Sequence, residues 1–148
     1  NIEGLINNGA VFDVIGMSLY PESNNWQTKV ENAYANMLDM KSRYNKEIMM
    51  AEVGFDVNQQ QIAHQFLTYI IEKTKQAEGL GVFYWEPIAH NNWKSYSKGA
   101  WDSDGSPSLA MDAFIDSSSL NIKDYNSEGD VKIFPNPSLE TIKILSLG

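Results

Sequence analysis

Two glutamates stand where apolar strand-like runs end. Glu52 follows Ile48-Met49-Met50-Ala51, and Glu86 follows Gly81-Val82-Phe83-Tyr84-Trp85 and precedes Pro87. A carboxylate at the end of a buried run is costly unless it is partnered. Each is therefore either half of a structural ion pair or helix-end contact, or a working acid. A pair of carboxylates flanking a sugar linkage is the machinery of glycoside hydrolysis, and Glu52 suits the nucleophile or the acid/base role. For Glu86, orienting a neighbour or hydrogen-bonding a ligand hydroxyl reads at least as well as catalysis. Tyr20 closes a third run, Val11 to Leu19. Its phenol is a donor that could hold a carboxylate in one orientation, with plain core filling as the alternative. Trp26, Trp93 and Trp101 lie in or near segments that follow strands, and Trp85 completes the four tryptophans. Flat rings stack on the apolar faces of pyranoses, although loop packing is the blander use.

His90, in the loop after Pro87, is placed to contact a ligand, whereas His64 falls near the apolar face of a helical pattern and reads as structural. No His/Asp/Glu spacing matches a zinc site, so neither a metal nor a cofactor is expected. Asp102-Ser103-Asp104-Gly105 has the opening of a calcium loop without the rest of its ligands and reads as a turn. There is no Gly-x-Ser-x-Gly elbow and no Gly-rich phosphate loop after any strand, which disfavours an α/β-hydrolase and a nucleotide site.

The elements that must position these residues alternate. Ile2 to Asn8 reads as a helix stopped by Gly9, Val11 to Tyr20 as a strand, and Trp26 to Arg43 as a helix. Val30, Ala33, Tyr34, Met37 and Leu38 give that helix one apolar face at helical period. Glu47 to Val53 is the next strand, and Asn58 to Glu78 the next helix, with Ile62, Phe66, Tyr69, Ile70 and Lys73 on one side and Gly79 as its stop. Gly81 to Trp85 is the third strand, followed by an aromatic-rich loop from Ile88 to Ser108 and a short apolar segment from Leu109 to Ile115. The near-continuous apolarity of the strands predicts burial on both faces, as in a parallel sheet. Strand-helix-strand units repeating at roughly 30 residues predict right-handed parallel crossovers. An open doubly wound sheet and a closed eight-stranded barrel both use them, and ligands bind at the carboxyl ends of the strands in either. The missing phosphate loop favours the barrel.

The composition changes at residue 117. Residues 117–129 read as a linker rich in Ser, Asn and Gly, and residues 130–148 as two short alternating strands around Pro135-Asn136-Pro137-Ser138. So short a β-rich module cannot hold a core of its own. The whole chain of 148 residues can bury one domain-sized core. A net charge of −8 makes nucleic acid and anionic membrane surfaces unlikely partners, whereas a neutral sugar meets no such penalty. No apolar run approaches the roughly 20 residues of a membrane span. With no cysteine, disulfide and thiolate chemistry are absent.

Several stretches resemble glycoside hydrolase family 53, the arabinogalactan endo-β-1,4-galactanases. They are Asp13-Val14-Ile15-Gly16-Met17-Ser18-Leu19-Tyr20-Pro21, Met50-Ala51-Glu52-Val53-Gly54 and Gly79-Leu80-Gly81-Val82-Phe83-Tyr84-Trp85-Glu86-Pro87. Trp93-Lys94-Ser95-Tyr96-Ser97-Lys98-Gly99-Ala100-Trp101, running on to Ala110-Met111-Asp112-Ala113-Phe114, adds to the likeness. The resemblance implies an α/β fold that is the C-terminal portion, about strands six to eight, of a TIM (β/α)8 barrel over residues 1–116. It implies a retaining endo-hydrolase of plant-type galactan or arabinogalactan, with Glu52 as the nucleophile closing strand seven. Its acid/base partner, on strand four, is expected upstream of Asn1. The resemblance also makes Tyr20, Trp85 and Glu86 active-site wall positions, with His90 and Trp93 as further substrate contacts. Another retaining β-glycanase of the same barrel type, or a glycan-binding surface protein without catalysis, would share most of this pattern. Ile133-Phe134-Pro135-Asn136-Pro137-Ser138 resembles the start of a C-terminal sorting domain read by the type IX secretion machinery. That implies a bacterial protein that is secreted or displayed on the cell surface, in a chain expected to be truncated at both ends.

Overall fold

Helix and strand alternate as the hydrophobic periods predict. The computed structural model describes residues 2–89, 91 and 93–115. In order these form α1 (Ile2–Asn7), β1 (Val14–Leu19), α2 (Trp26–Tyr44), β2 (Glu47–Val53), α3 (Gln60–Gln76) and β3 (Val82–Tyr84). A 3-10 helix, Leu109–Phe114, follows and packs against α3. The strands pair in parallel in the order β1-β2-β3. Sheet order thus equals chain order, and each step between neighbours is made through a helix, as parallel pairing requires. The predicted linker at 117–129 and the sorting module at 130–148 lie outside the described residues.

The element boundaries shift for local reasons. The first strand begins at Val14, not Val11, and Val11 is 95% exposed beyond the sheet. The third helix begins at Gln60 because Asp56 draws the backbone N–H of Asn58 into a turn at 2.9 Å. It ends before Gly79, with Glu78 rather than the glycine taking the left-handed backbone at φ 53°. Gly79 is needed for closeness instead: a Cβ there would lie 2.7 Å from Thr74 Cγ2. Asn45, at φ 50°, turns the chain out of α2.

The core lies between the sheet and the two long helices. Val30, Ala33 and Met37 from α2, and Ala63, Phe66, Leu67 and Ile70 from α3, are buried against Ile15, Ile48, Met50 and Val53 of the strands. Burial of such side chains stabilises the fold by roughly 1.5–3 kcal/mol each. Phe55 extends this core past the end of β2, with its ring 5.5 Å from that of Phe66. The prediction of burial on both sheet faces is corrected. In β1, Ile15 is buried, whereas Val14, Gly16 and Ser18 are exposed, and Phe83 of β3 is 59% exposed. Helices cover one face only, and the open face is the one a closed barrel fills with side chains from its other strands.

Candidate active site

Glu52 owes its position to an irregularity in β2. Ile48 and Met50 are fully buried on the helix side, so strict alternation would send Glu52 into the same apolar layer. The register prevents this. Met17 pairs with Met50, but the next residue, Ser18, pairs with Glu52. On the other side Met50 pairs with Val82 and Val53 with Tyr84. β2 therefore carries one residue more than both neighbours between Met50 and Val53. This bulge returns Val53 to the core and leaves Glu52 half-buried on the other side.

Tyr20, just past the end of β1, donates its hydroxyl to Glu52 Oε2 at 2.9 Å. Burial, followed by the Glu52 hydrogen bond and the nearby Tyr96, pushes the Tyr20 phenol well above its ordinary range. At neutral pH it is a protonated donor. Gly54 makes the approach possible: a Cβ there would lie 2.8 Å from Tyr20 Cε1 and 2.9 Å from the Trp85 carbonyl oxygen.

Tyr84, on β3, straps the following loop to the end of β2. Its hydroxyl accepts from the Phe55 N–H at 3.1 Å and donates to the Lys98 carbonyl at 2.9 Å. Desolvation pushes this phenol up to about 12. The Val57 N–H donates to the Ser97 carbonyl at 2.9 Å and the Ala100 N–H to the Pro87 carbonyl at 2.8 Å, so the loop is fastened on two sides. Lys98 also pairs with Glu22, in the loop after β1, at 3.6 Å.

The loop brings in a residue that strand-end reasoning missed. Tyr96 accepts from the Glu86 N–H at 3.1 Å and donates to the Trp85 carbonyl. It also faces Tyr20 and the carboxylates of Glu52 and Glu86, and its own phenol is raised chiefly by burial. The available signal was an aromatic in the loop that follows a strand-end glutamate. Trp85 is 54% exposed, and its peptide bond to Glu86 is cis. Glu86, Ile88, Ala89, Asn91 and Trp93 line an open cavity of about 530 Å³. Trp93 carries the Lys94 ammonium 4.7 Å from its ring centre.

The structure thus joins Tyr20 to Glu52, sets Glu86 and Trp93 around one cavity, and links the two groups through Tyr96. His90 lies outside the described residues. Trp26 does not line this cavity: it opens α2 and is only 9% exposed, edge-on to Tyr69 at 6.0 Å. Asp102 to Ser106 form the expected turn, closed by the Asp102 N–H on the Ser106 carbonyl at 2.8 Å. Among the described residues no cluster of three or more His, Asp or Glu is arranged to hold a metal, and no helix is long and apolar enough to cross a membrane.

Comparison with known proteins finds a matching family model and matching solved structures. The family model described as glycosyl hydrolase family 53 matches residues 2–123. A solved structure from a study of two fungal β-1,4-galactanases superposes with a TM-score of 0.63 at 20% identity. The superposition covers 78% of this chain and 42% of that one, so the present chain corresponds to less than half of its length. At that identity the likeness is one of fold, a partial match to a galactanase barrel. No curated protein matches.

Proposed function

The chain belongs to glycosyl hydrolase family 53, and from that premise we propose that it supplies the nucleophile half of a retaining endo-β-1,4-galactanase site. The observation that carries this reading is the Glu52 carboxylate, turned out of the core by the β2 bulge and held by the Tyr20 hydroxyl at 2.9 Å. With Oε2 occupied by Tyr20, Oε1 attacks the anomeric carbon of a galactosyl unit while an acid on another strand protonates the departing oxygen. The galactosyl–Glu52 ester then forms through an oxocarbenium-like transition state. The same acid, now a base, takes a proton from the water that cleaves the ester, and the anomeric configuration is retained. Retention calls for the two carboxyls to stand about 5–5.5 Å apart.

We assign the acid/base to strand four of the closed barrel and not to Glu86. Glu86 and Trp85 form the wall that binds the sugar, with Trp93 as a stacking ring and His90 as a further substrate contact. The described sheet has three strands and one bare face, so the 148-residue chain by itself should release no galacto-oligosaccharides from β-1,4-galactan. The tail from Ile133 to Ser138 is, in the same reading, a sorting signal for type IX secretion to the bacterial surface or exterior. Removing residues 130–148 should then retain the protein inside the cell.

The decisive experiment uses the intact barrel enzyme carrying this sequence. Glu52→Gln should lower kcat on β-1,4-galactan by about a thousandfold or more while binding persists. A 2-deoxy-2-fluorogalactoside inactivator should label Glu52 in the peptide map. Full turnover in Glu52→Gln, or a label on another carboxylate, refutes the assignment. Hydrolysis of mannan, xylan or glucan in preference to galactan would move the substrate to another β-glycan.

A further inference from the structure

Tyr96 lies on no strand, yet its hydroxyl is where the two halves of the site meet. We propose that Tyr96 is a positioning residue: it fixes the Trp85–Glu86 main chain against the Tyr20–Glu52 pair, so that the sugar-binding wall and the attacking carboxylate keep one relative geometry. The inference rests on the function proposed above and deepens it.

A phenol has one proton to give and two lone pairs to accept with. Tyr96 gives its proton to the Trp85 carbonyl and accepts the Glu86 N–H at 3.1 Å. It therefore grips the peptide between the two wall residues through both of its polar groups. Tyr20, whose own proton goes to Glu52, is its other neighbour, and the Glu52 and Glu86 carboxylates both act on it. With its proton committed to Trp85, Tyr96 does not compete with Tyr20 as a donor to Glu52. Its backbone is held in turn. The Tyr96 N–H reaches the Trp93 carbonyl at 2.9 Å, and the carbonyls of Ser97 and Lys98 are taken by Val57 and Tyr84. Gly99 presses so closely on Ala89 that a Cβ there would overlap its carbonyl oxygen. A phenol presented from so fixed a segment is preorganised, which is what holding reacting groups in place requires.

Tyr84 provides the contrast, since it fastens the same loop but, among the described residues, its hydroxyl bonds only to main chain at residues 55, 98 and 99. In the intact barrel enzyme on β-1,4-galactan, Tyr96→Phe should lower kcat about tenfold or more while KM stays within about threefold. Its thermal midpoint should stay near that of the parent. Tyr84→Phe, which loosens the loop as a whole, should lower the midpoint and cost less kcat than Tyr96→Phe does. The Tyr20→Phe/Tyr96→Phe double variant should lose less than the product of the single losses, because both hydroxyls act on one geometry. The inference is overturned if Tyr96→Phe keeps its kcat, if the losses multiply, or if its midpoint falls as far as that of Tyr84→Phe. Undiminished turnover in Glu52→Gln would instead refute the proposed function, so the two failures are distinguishable.

Discussion

Gly54→Ala tests whether close packing, and not only the Glu52 side chain, sets the rate. Gly54 does not take a left-handed backbone, so alanine meets no dihedral penalty there, and any effect is steric. The added Cβ would lie 2.8 Å from Tyr20 Cε1, 3.1 Å from Tyr20 Cδ1 and 2.9 Å from the Trp85 carbonyl oxygen. Ordinary carbon contacts are about 3.5–4.0 Å, so the ring must withdraw by roughly 0.7 Å. The Tyr20–Glu52 hydrogen bond is 2.9 Å long, and a withdrawal of that size carries it to the limit of hydrogen-bond range. A hydrogen bond to a charged group contributes about 1.5–3 kcal/mol. If that is lost from the transition state, kcat falls about 10- to 100-fold. The strain should also lower stability by about 1–3 kcal/mol. Initial rates on galactan and a thermal melt of the intact enzyme measure both quantities. Gly79→Ala is the control, because its Cβ meets Thr74 Cγ2 at 2.7 Å at the far end of the sheet. It should lose comparable stability and keep its kcat. If Gly54→Ala retains kcat within about twofold, the packing argument fails.

The remaining predictions concern the two other phenols. Tyr20→Phe removes only the hydroxyl and should lower kcat on galactan about 10-fold or more with little change in the melt; equal kcat would show that Glu52 needs no donor. For Tyr84, the folded pKa of about 12 stands above its ordinary 10.0, so the unfolded chain loses its proton first. Its contribution to stability is fully present below pH 10 and fades as pH rises towards 12, by roughly 2–3 kcal/mol across that window. Denaturant melts at rising pH, with tyrosinate absorbance alongside, should show a smaller alkaline loss in Tyr84→Phe than in the parent, the remainder coming from the other raised phenols, Tyr20 and Tyr96; equal alkaline losses in both would refute it.

Much of the fold is legible in the apolar periods. Val30, Ala33 and Met37 recur at helical spacing and are buried together, and each strand falls on an apolar run to within two residues at its end. Even Lys73, a cation on the apolar side of α3, has a physical reason. It pairs with Glu31 at 2.9 Å and lies 4.8 Å and 5.2 Å from the rings of Tyr34 and Tyr69. Trp26 misleads because a tryptophan at a helix start can face either the cleft or the core, and nothing local decides between them. Tyr96 is not legible as a site residue because its partners are main-chain groups, and any residue type supplies those.

The bulge in β2 is the least legible feature and the one on which the site most depends. Read as a regular strand, Ile48, Met50 and Glu52 share a face, which would bury a carboxylate among Val30, Met37 and Ile70 at a cost of several kcal/mol. The same letters with one residue inserted in the pairing place Val53 in that layer and Glu52 beside Tyr20. Whether the extra residue is accommodated depends on the neighbouring strands: Gly16 gives room at Ala51, where a Cβ would approach to 2.9 Å. A carboxylate in an apolar strand therefore poses a question that its own strand cannot answer. Here the answer lies in a glycine on β1, a second glycine at 54, and a tyrosine on each side of the sheet end.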